Sequence, residues 1–306
     1  MEVRLREVNA EELRTRAING DIPKPSCIPI LGREGYLVRG WATLLAAYPK
    51  AGKTELAVAC AMAACQERVL YITEESEDVW AARLESIEQP CSHINIVYGF
   101  GVPVAAIMQR IAEGDETLVI LDTVRHLLAI EDENNNSEVA RAMTPLVSAC
   151  RARKKTLLAL HHRRKNDGEG GRAVAGGHAF MGVVDVVLEM KPDGNQPRRR
   201  LLTGAGRVYA IADLLYEMDE DGDLVALGDP MKVSREVVSQ RLLDVLTDEW
   251  QTTADVTRWL DAPIPSSETV RQSLNGLAKK GDIQRDPPIQ DGPAQGKKMS
   301  WRRDGA

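Results

Sequence analysis

Between Trp41 and about Leu188, runs of consecutive apolar residues alternate with stretches whose apolar positions recur three and four residues apart. The runs WATLLAA (41–47), VLYIT (69–73), INIVYG (94–99), TLVILD (117–122), TLLALH (156–161) and VVDVVLEM (183–190) have the length and character of strands. The stretches 53–65, 78–87, 102–112 and 137–153 have helical spacing. Pro145 must either kink the last of these or start a second helix with Thr144 as its N-cap. Near-continuous apolar strands separated by helices predict an α/β fold, with a mostly parallel sheet sandwiched by helices on both faces. Beyond it, RRRLLTGAGR (198–207), LLYEMD (214–219) and LVALG (224–228) read as β-hairpins, with a turn cluster at 219–223.

The pattern divides the chain into an N-terminal arm (1–40, polar and marked by Pro23, Pro25 and Pro29), a core (41–228), a linker (229–235) and a small C-terminal domain (236–306). In that last part Val238, Leu242, Val245 and Leu246 form one helical stripe. Thr252-x-x-Asp255 is a capping-box start to a second helix, with Val256, Trp259 and Leu260 inward. A third helix over 265–281 places Val270, Leu274 and Leu277 inward and ends at Gly281. A Gly/Pro-rich hairpin follows. Three helices and a hairpin in this order resemble a winged helix-turn-helix, whose third helix would read DNA. Arg271, Gln272, Asn275 and Lys279 lie on its outward face, and Lys297, Lys298, Arg302 and Arg303 in the hairpin. Residues 235–306 carry 11 basic and 11 acidic side chains, so DNA contact is the first reading and protein docking stays open beside it.

Composition narrows the picture little. The 306 residues are 43% hydrophobic and 27% charged, ordinary values for a globular protein, and with two Phe the packing is aliphatic. A net charge of −6 makes any nucleic-acid contact local. No apolar run reaches the roughly 18 residues that span a membrane, and the charged N-terminus lacks an apolar signal segment. Cys27, Cys60, Cys65, Cys91 and Cys150 have no CxxC spacing and read as reduced thiols of a cytoplasmic protein.

The chemistry concentrates after the first core strand. Ala47-Tyr48-Pro49-Lys50-Ala51-Gly52-Lys53-Thr54 fits the phosphate-binding pattern GxxxxGK[ST] except for Ala47 in the place of its first glycine, a departure expected to reshape the loop without abolishing binding. In such a loop, Pro49, Lys50, Ala51 and Gly52 wrap the phosphates, those after the proline with their backbone N–H groups, Lys53 reaches the β- and γ-phosphates of ATP, and the Thr54 hydroxyl ligates Mg²⁺. Asp122, ending the apolar run TLVILD, would orient the metal's hydration shell.

Together PKAGKT, YITEE with Arg83, LDTVRHL, the acidic Asn-rich EDENNNSE and LLALHHRRK resemble the RecA-like ATPases of the RepA-type hexameric helicase group, and more distantly the DnaB, KaiC and RadA branches, over roughly 25–220. The resemblance implies an ATPase, and by extension a DNA helicase or translocase, working as a homo-oligomer, a hexamer in that group. It places the water-polarising glutamate at Glu74, with Glu75 competing for the role, and stacks Arg83 on adenine. It puts a γ-phosphate sensor at His161 or His162, the second being the better match. It aims the glycine-rich loop 163–177, with Arg163, Arg164, Lys165 and Arg172, at single-stranded DNA, and makes Arg207, or else Arg200, an arginine finger for the neighbouring subunit. No aromatic residue in that loop offers a base-stacking platform. A non-motor ATP switch that controls a DNA-bound or recombination protein is the other reading.

Overall fold

The computed structural model describes residues 7–133, 135–163, 177–194, 196–286 and 299–303. It divides into two compact units, Met1–Ala226 and Leu227–Ala306.

The first unit begins with helix α1 (Ala10–Ile18), capped by Asn9, and an antiparallel pair, β1 (Cys27–Ile30) and β2 (Arg33–Val38). Alternating strands and helices follow: β3 (Ala42–Ala47), α2 (Lys53–Ala63), β4 (Val69–Thr73), α3 (Glu77–Glu85), β5 (Ile94–Tyr98), α4 (Val104–Glu113), β6 (Leu118–Asp122), α5 (Val124–Leu127), α6 (Asn136–Ala152), β7 (Thr156–His162) and α7 (Gly177–Val183). Then come β8 (Val186–Asp193), β9 (Gln196–Gly206), β10 (Leu214–Met218) and β11 (Leu224–Gly228). The strands form one nine-stranded sheet in the order β11-β10-β9-β8-β3-β7-β6-β4-β5. From β8 through β5 all neighbours are parallel, and β9 and β10 add antiparallel ribbons at the other side.

Alternation of side chains along each strand explains the unbroken apolar runs, because both faces are covered. Leu45, Tyr71, Ile120, Leu158 and Leu188 face one core with α2, Trp80 and the β1–β2 pair. Leu44, Leu70, Ile72, Val119, Leu121 and Ala159 face the other, beneath α4, α5 and α6. Each fully buried aliphatic side chain contributes about 1.5–3 kcal/mol. Pro145 lies inside α6, which runs unbroken from the Asn135 cap to Ala152, so no second helix starts at Thr144.

Two boundaries differ from expectation. Residues 27–38, placed in a polar arm, form the β1–β2 pair and bury Ile28, Ile30, Leu37 and Val38. The prolines interrupt periodicity there, while the alternate residues still reach the core. Residues 229–235, taken as a linker, are the cap and first turns of a helix, with Asp229 accepting from the backbone N–H groups of Met231 and Lys232 and Pro230 opening it.

The second unit holds α8 (Pro230–Val245), β12 (Gln251–Thr252), α9 (Thr253–Arg258), α10 (Ser267–Lys280), β13 (Ile283–Asp286) and β14 (Ser300–Arg303), with strand order β12-β14-β13. Val238, Leu242, Leu246, Val256, Leu260, Val270, Leu274, Leu277, Ile283 and Trp301 form its core. The Thr252–Asp255 capping box is present, and Gly281 closes α10 at φ 84°. Trp259, expected inward, is exposed at the C-cap of α9. The buried indole is that of Trp301, which donates to Thr253 Oγ1 at 3.1 Å.

One polar anchor fixes the edge of the first unit. Glu116, just before β6, is buried and accepts from Arg110 at the end of α4 (3.0 Å) and from Asn95 of β5 (3.2 Å). The Arg110 contact holds its carboxyl at about 2, below the usual 4.5. A depressed carboxyl contributes stability that is present above its unfolded value and lost as pH falls toward 2. Glu116→Gln should therefore cost about 1–3 kcal/mol. It should also flatten the acid side of the stability profile below about pH 4.5, read by urea denaturation across pH.

Candidate nucleotide site

The loop between β3 and α2 turns at the C-terminal edge of the parallel strands, where open α/β sheets bind ligands. Ala47 is the last extended residue of β3, in register with His162 of β7 and Met190 of β8. The left-handed positions of the loop fall instead at Lys50 (φ 60°) and Gly52 (φ 98°), which is why a methyl group is accommodated where the motif has glycine. Gly52 is the N-cap of α2 and supplies no side-chain cap, so the first backbone N–H groups of the helix are left to a ligand.

Lys53 is buried, with Nζ 3.3 Å from Ala47 O, 3.2 Å from Tyr48 O and 2.9 Å from His162 Nδ1. Burial lowers Lys53 to about 8, against the opposing pull of Asp122, Glu55 and Glu74. His162 is lowered as well, by burial first and then by the Lys53 charge, which leaves a neutral imidazole able to accept from the ammonium. Of the histidine pair, His162 faces the loop. His161 points to the opposite side of the sheet, buried against Phe180 with its ring centroid 4.4 Å away.

Thr54 Oγ1 donates to Asp122 Oδ2 at 2.8 Å, across the 68 residues that separate them, and Tyr71 OH donates to the same oxygen at 2.9 Å. Burial raises the Asp122 carboxyl to about 6, and the bonds from Thr54 and Tyr71 oppose the rise. Two hard oxygen donors side by side next to the phosphate loop fit a hydrated Mg²⁺.

Glu74 and Glu75 part company here. Glu75 is bound by Arg83 through both oxygens, each at 3.0 Å, and Arg83 also reaches Glu55 at 3.4 Å. Glu74 turns toward the end of β6, where it meets Thr123 Oγ1 at 3.0 Å and His126 Nδ1 at 2.6 Å. It stands close enough to Lys53, Asp122 and His162 to act on the protonation of each. Arg83, with its guanidinium 5.7 Å from the Trp80 ring centroid, is thus held by the carboxylates of Glu75 and Glu55.

The family profile of the AAA domain matches residues 7–168, just over half of the 306-residue chain. The chain belongs to the AAA domain family. Its solved structural neighbours include the RadB recombinase, at 17% identity and a TM-score of 0.50, with 64% of this chain and 94% of that chain covered. At that identity the likeness shows the fold, a RecA-like α/β domain. No curated protein matches the sequence.

As an AAA-domain protein the chain is a P-loop nucleotide-binding protein, and its uncapped helix end, buried lysine and Thr54–Asp122 pair fit ATP with Mg²⁺. Other expected residues are placed differently. Arg163, read as a DNA contact, is buried. It pairs with Glu189, and its guanidinium lies 5.2 Å from the Tyr48 ring centroid, so it braces the phosphate loop from behind. Arg207, read as the arginine finger, donates to Val184 O (2.9 Å) and Gly182 O (2.6 Å) beside Asp185. That lies at the N-terminal edge of β8, opposite the loop, and its bonds are spent inside its own subunit. Arg200 sits on the loop itself, donating to Ala51 O at 2.8 Å. Arg164, Lys165, Arg172, Lys297 and Lys298 lie outside the described residues. Arg271 is half-exposed and paired with Glu268, and Lys279 lines a groove between α8 and α10. Sequence reading missed Tyr71, Thr123, His126 and the role of Arg200. Strand alternation, with Tyr71 on the face that Asp122 shares, was the signal for the first.

No described helix is long and apolar enough to cross a membrane, and no metal-holding cluster of His, Cys, Asp and Glu occurs among the described residues.

A bound polyphosphate favours charged Lys53, so ATP binding should take up a proton above about pH 8 and weaken as pH rises past that value. Calorimetry at alkaline pH in buffers of different ionisation heat should show this uptake, and Lys53→Ala should abolish it.

Proposed function

We propose that this protein is an ATP-hydrolysing enzyme acting on DNA, a RepA-like helicase or translocase that works as a homo-oligomer, a hexamer by resemblance, with ATP held between subunits. The observation that carries the hydrolytic reading is the separation of the two glutamates: Glu75 is bound by Arg83, while Glu74 is poised beside the Asp122 edge. In this reading the loop N–H groups and Lys53 bind the phosphates, and His162 senses the γ-phosphate. Thr54 and Asp122 hold Mg²⁺, which supplies charge neutralisation for phosphoryl transfer. Glu74 draws the proton of the attacking water.

The C-terminal unit supports DNA action. Three helices followed by a strand pair have the order of a winged helix, and its α8–α10 groove is lined by Lys232, Arg235, Lys279 and Lys280 with Gln272 and Asn275, groups suited to phosphates and base edges. The likeness in fold to the RadB recombinase is in keeping with this. A non-motor ATP switch is the second reading. It is favoured by the internal engagement of Arg163 and Arg207, which withdraws one pore contact and the first-choice finger from the motor scheme.

ATP turnover by the purified chain, with and without single-stranded DNA, tests the proposal. Lys53→Ala should abolish it, and Glu74→Gln should bind ATP but hydrolyse it about 100-fold or more slowly, while Glu75→Gln retains turnover. DNA-stimulated hydrolysis with strand separation supports the motor. Stimulation without separation supports the switch, and no hydrolysis refutes both.

A further inference from the structure

The hydrogen bonds to Glu74 converge on one of its two oxygens. Oε2 accepts from Thr123 Oγ1 (3.0 Å), from the Thr123 backbone N–H (3.4 Å) and from His126 Nδ1 (2.6 Å). Thr123 is the residue after Asp122, and His126 lies on the short helix α5 that leaves the same strand end. The imidazole is half-exposed and meets the ring of Phe100 edge to face, with centroids 6.2 Å apart. Phe100 itself belongs to the loop after β5, whose Gly99 N–H donates to Thr73 O immediately before Glu74. Three chain segments therefore meet around one carboxylate.

A glutamate on a strand end has three rotatable side-chain torsions and would sample many positions. A water-polarising group must be held to within a fraction of an ångström to be effective. Saturating Oε2 with two side-chain donors and one backbone donor restricts rotation and leaves Oε1 to the water. We propose that His126 is the positioning residue of Glu74, its Nδ1–H and the Thr123 hydroxyl together orienting the carboxylate, with Phe100 steadying the imidazole. This rests on the reading of Glu74 as the water-polarising group. Two histidines then divide the work: His162 faces Lys53 on the phosphate side, and His126 faces the glutamate.

The side-chain amide of asparagine can place an N–H close to where a histidine Nδ1–H stands, whereas that of glutamine reaches farther. His126→Ala and His126→Gln should lower kcat for ATP about tenfold to a hundredfold while KM and ADP affinity stay as in the wild type. His126→Asn should recover most of the loss. Combined with Glu74→Gln, His126→Ala should add little further, because the two act through one group. A readout independent of turnover is available in the nucleotide-free full chain with ¹⁵N-labelled histidine. A hydrogen-bonded His126 Nδ1 proton should be visible by NMR in the wild type and lost in Glu74→Ala. The proposal is overturned by unchanged or faster turnover in His126→Ala, by a loss that asparagine fails to restore, or by an Nδ1 signal that survives Glu74→Ala. Normal turnover in Glu74→Gln would instead remove the role of the glutamate itself, and this inference with it.

Discussion

A lysine ammonium buried at the C-terminal edge of a parallel sheet is the constraint around which this protein is arranged. Lys53 gives up water and receives two loop carbonyls and a neutral imidazole in exchange. A buried cation so supplied is tolerable but not satisfied, as its lowered pKa records. The loop must turn in a left-handed path at Lys50 and Gly52 to bring its N–H groups and this charge to one point. The elements behind it are braced accordingly: Arg200 on Ala51 O, and Arg163 against Tyr48 and Glu189.

The same edge holds two carboxylates in contrasting states. Asp122 is buried under Tyr71 and Thr54, and burial raises its carboxyl above the usual range. Glu74 is half-buried and receives donors from Thr123 and His126. One is prepared to meet a metal's positive charge, the other to hold its charge in a fixed orientation. Parallel pairing makes this possible, because β3, β4, β6 and β7 all end on one side and deliver Lys53, Glu74, Asp122 and His162 to a common line.

The arginines show how local hydrogen bonding reassigns a residue type. Arg163 was expected to contact DNA, and Arg207, or else Arg200, to reach a neighbouring subunit as an arginine finger. Each is used internally: on a carboxylate and a ring, on a loop carbonyl, and on two carbonyls at the far sheet edge. A guanidinium's five donors make it the natural brace for turns whose carbonyls lack strand partners.

Sequence by itself determined the elements and the chemistry at their ends. Consecutive apolar runs can be buried on both faces only in a covered sheet, and GKT and LD are local patterns whose residue types follow from phosphate and metal chemistry. Capping at Thr252 and Gly281 was equally legible, because a cap depends on residues within one turn. Tertiary structure alone decided the rest. Which glutamate faces the Asp122 edge depends on Arg83, in the last turn of the following helix α3, folding back to take Glu75. That alanine fits where the motif has glycine depends on the left-handed turns lying at Lys50 and Gly52. That residues 27–38 join the core, that Trp301 rather than Trp259 is buried, and that His126 reaches Glu74 across 52 residues of chain all depend on long-range packing. Periodicity records which face of an element is apolar, but not what comes to lie against it.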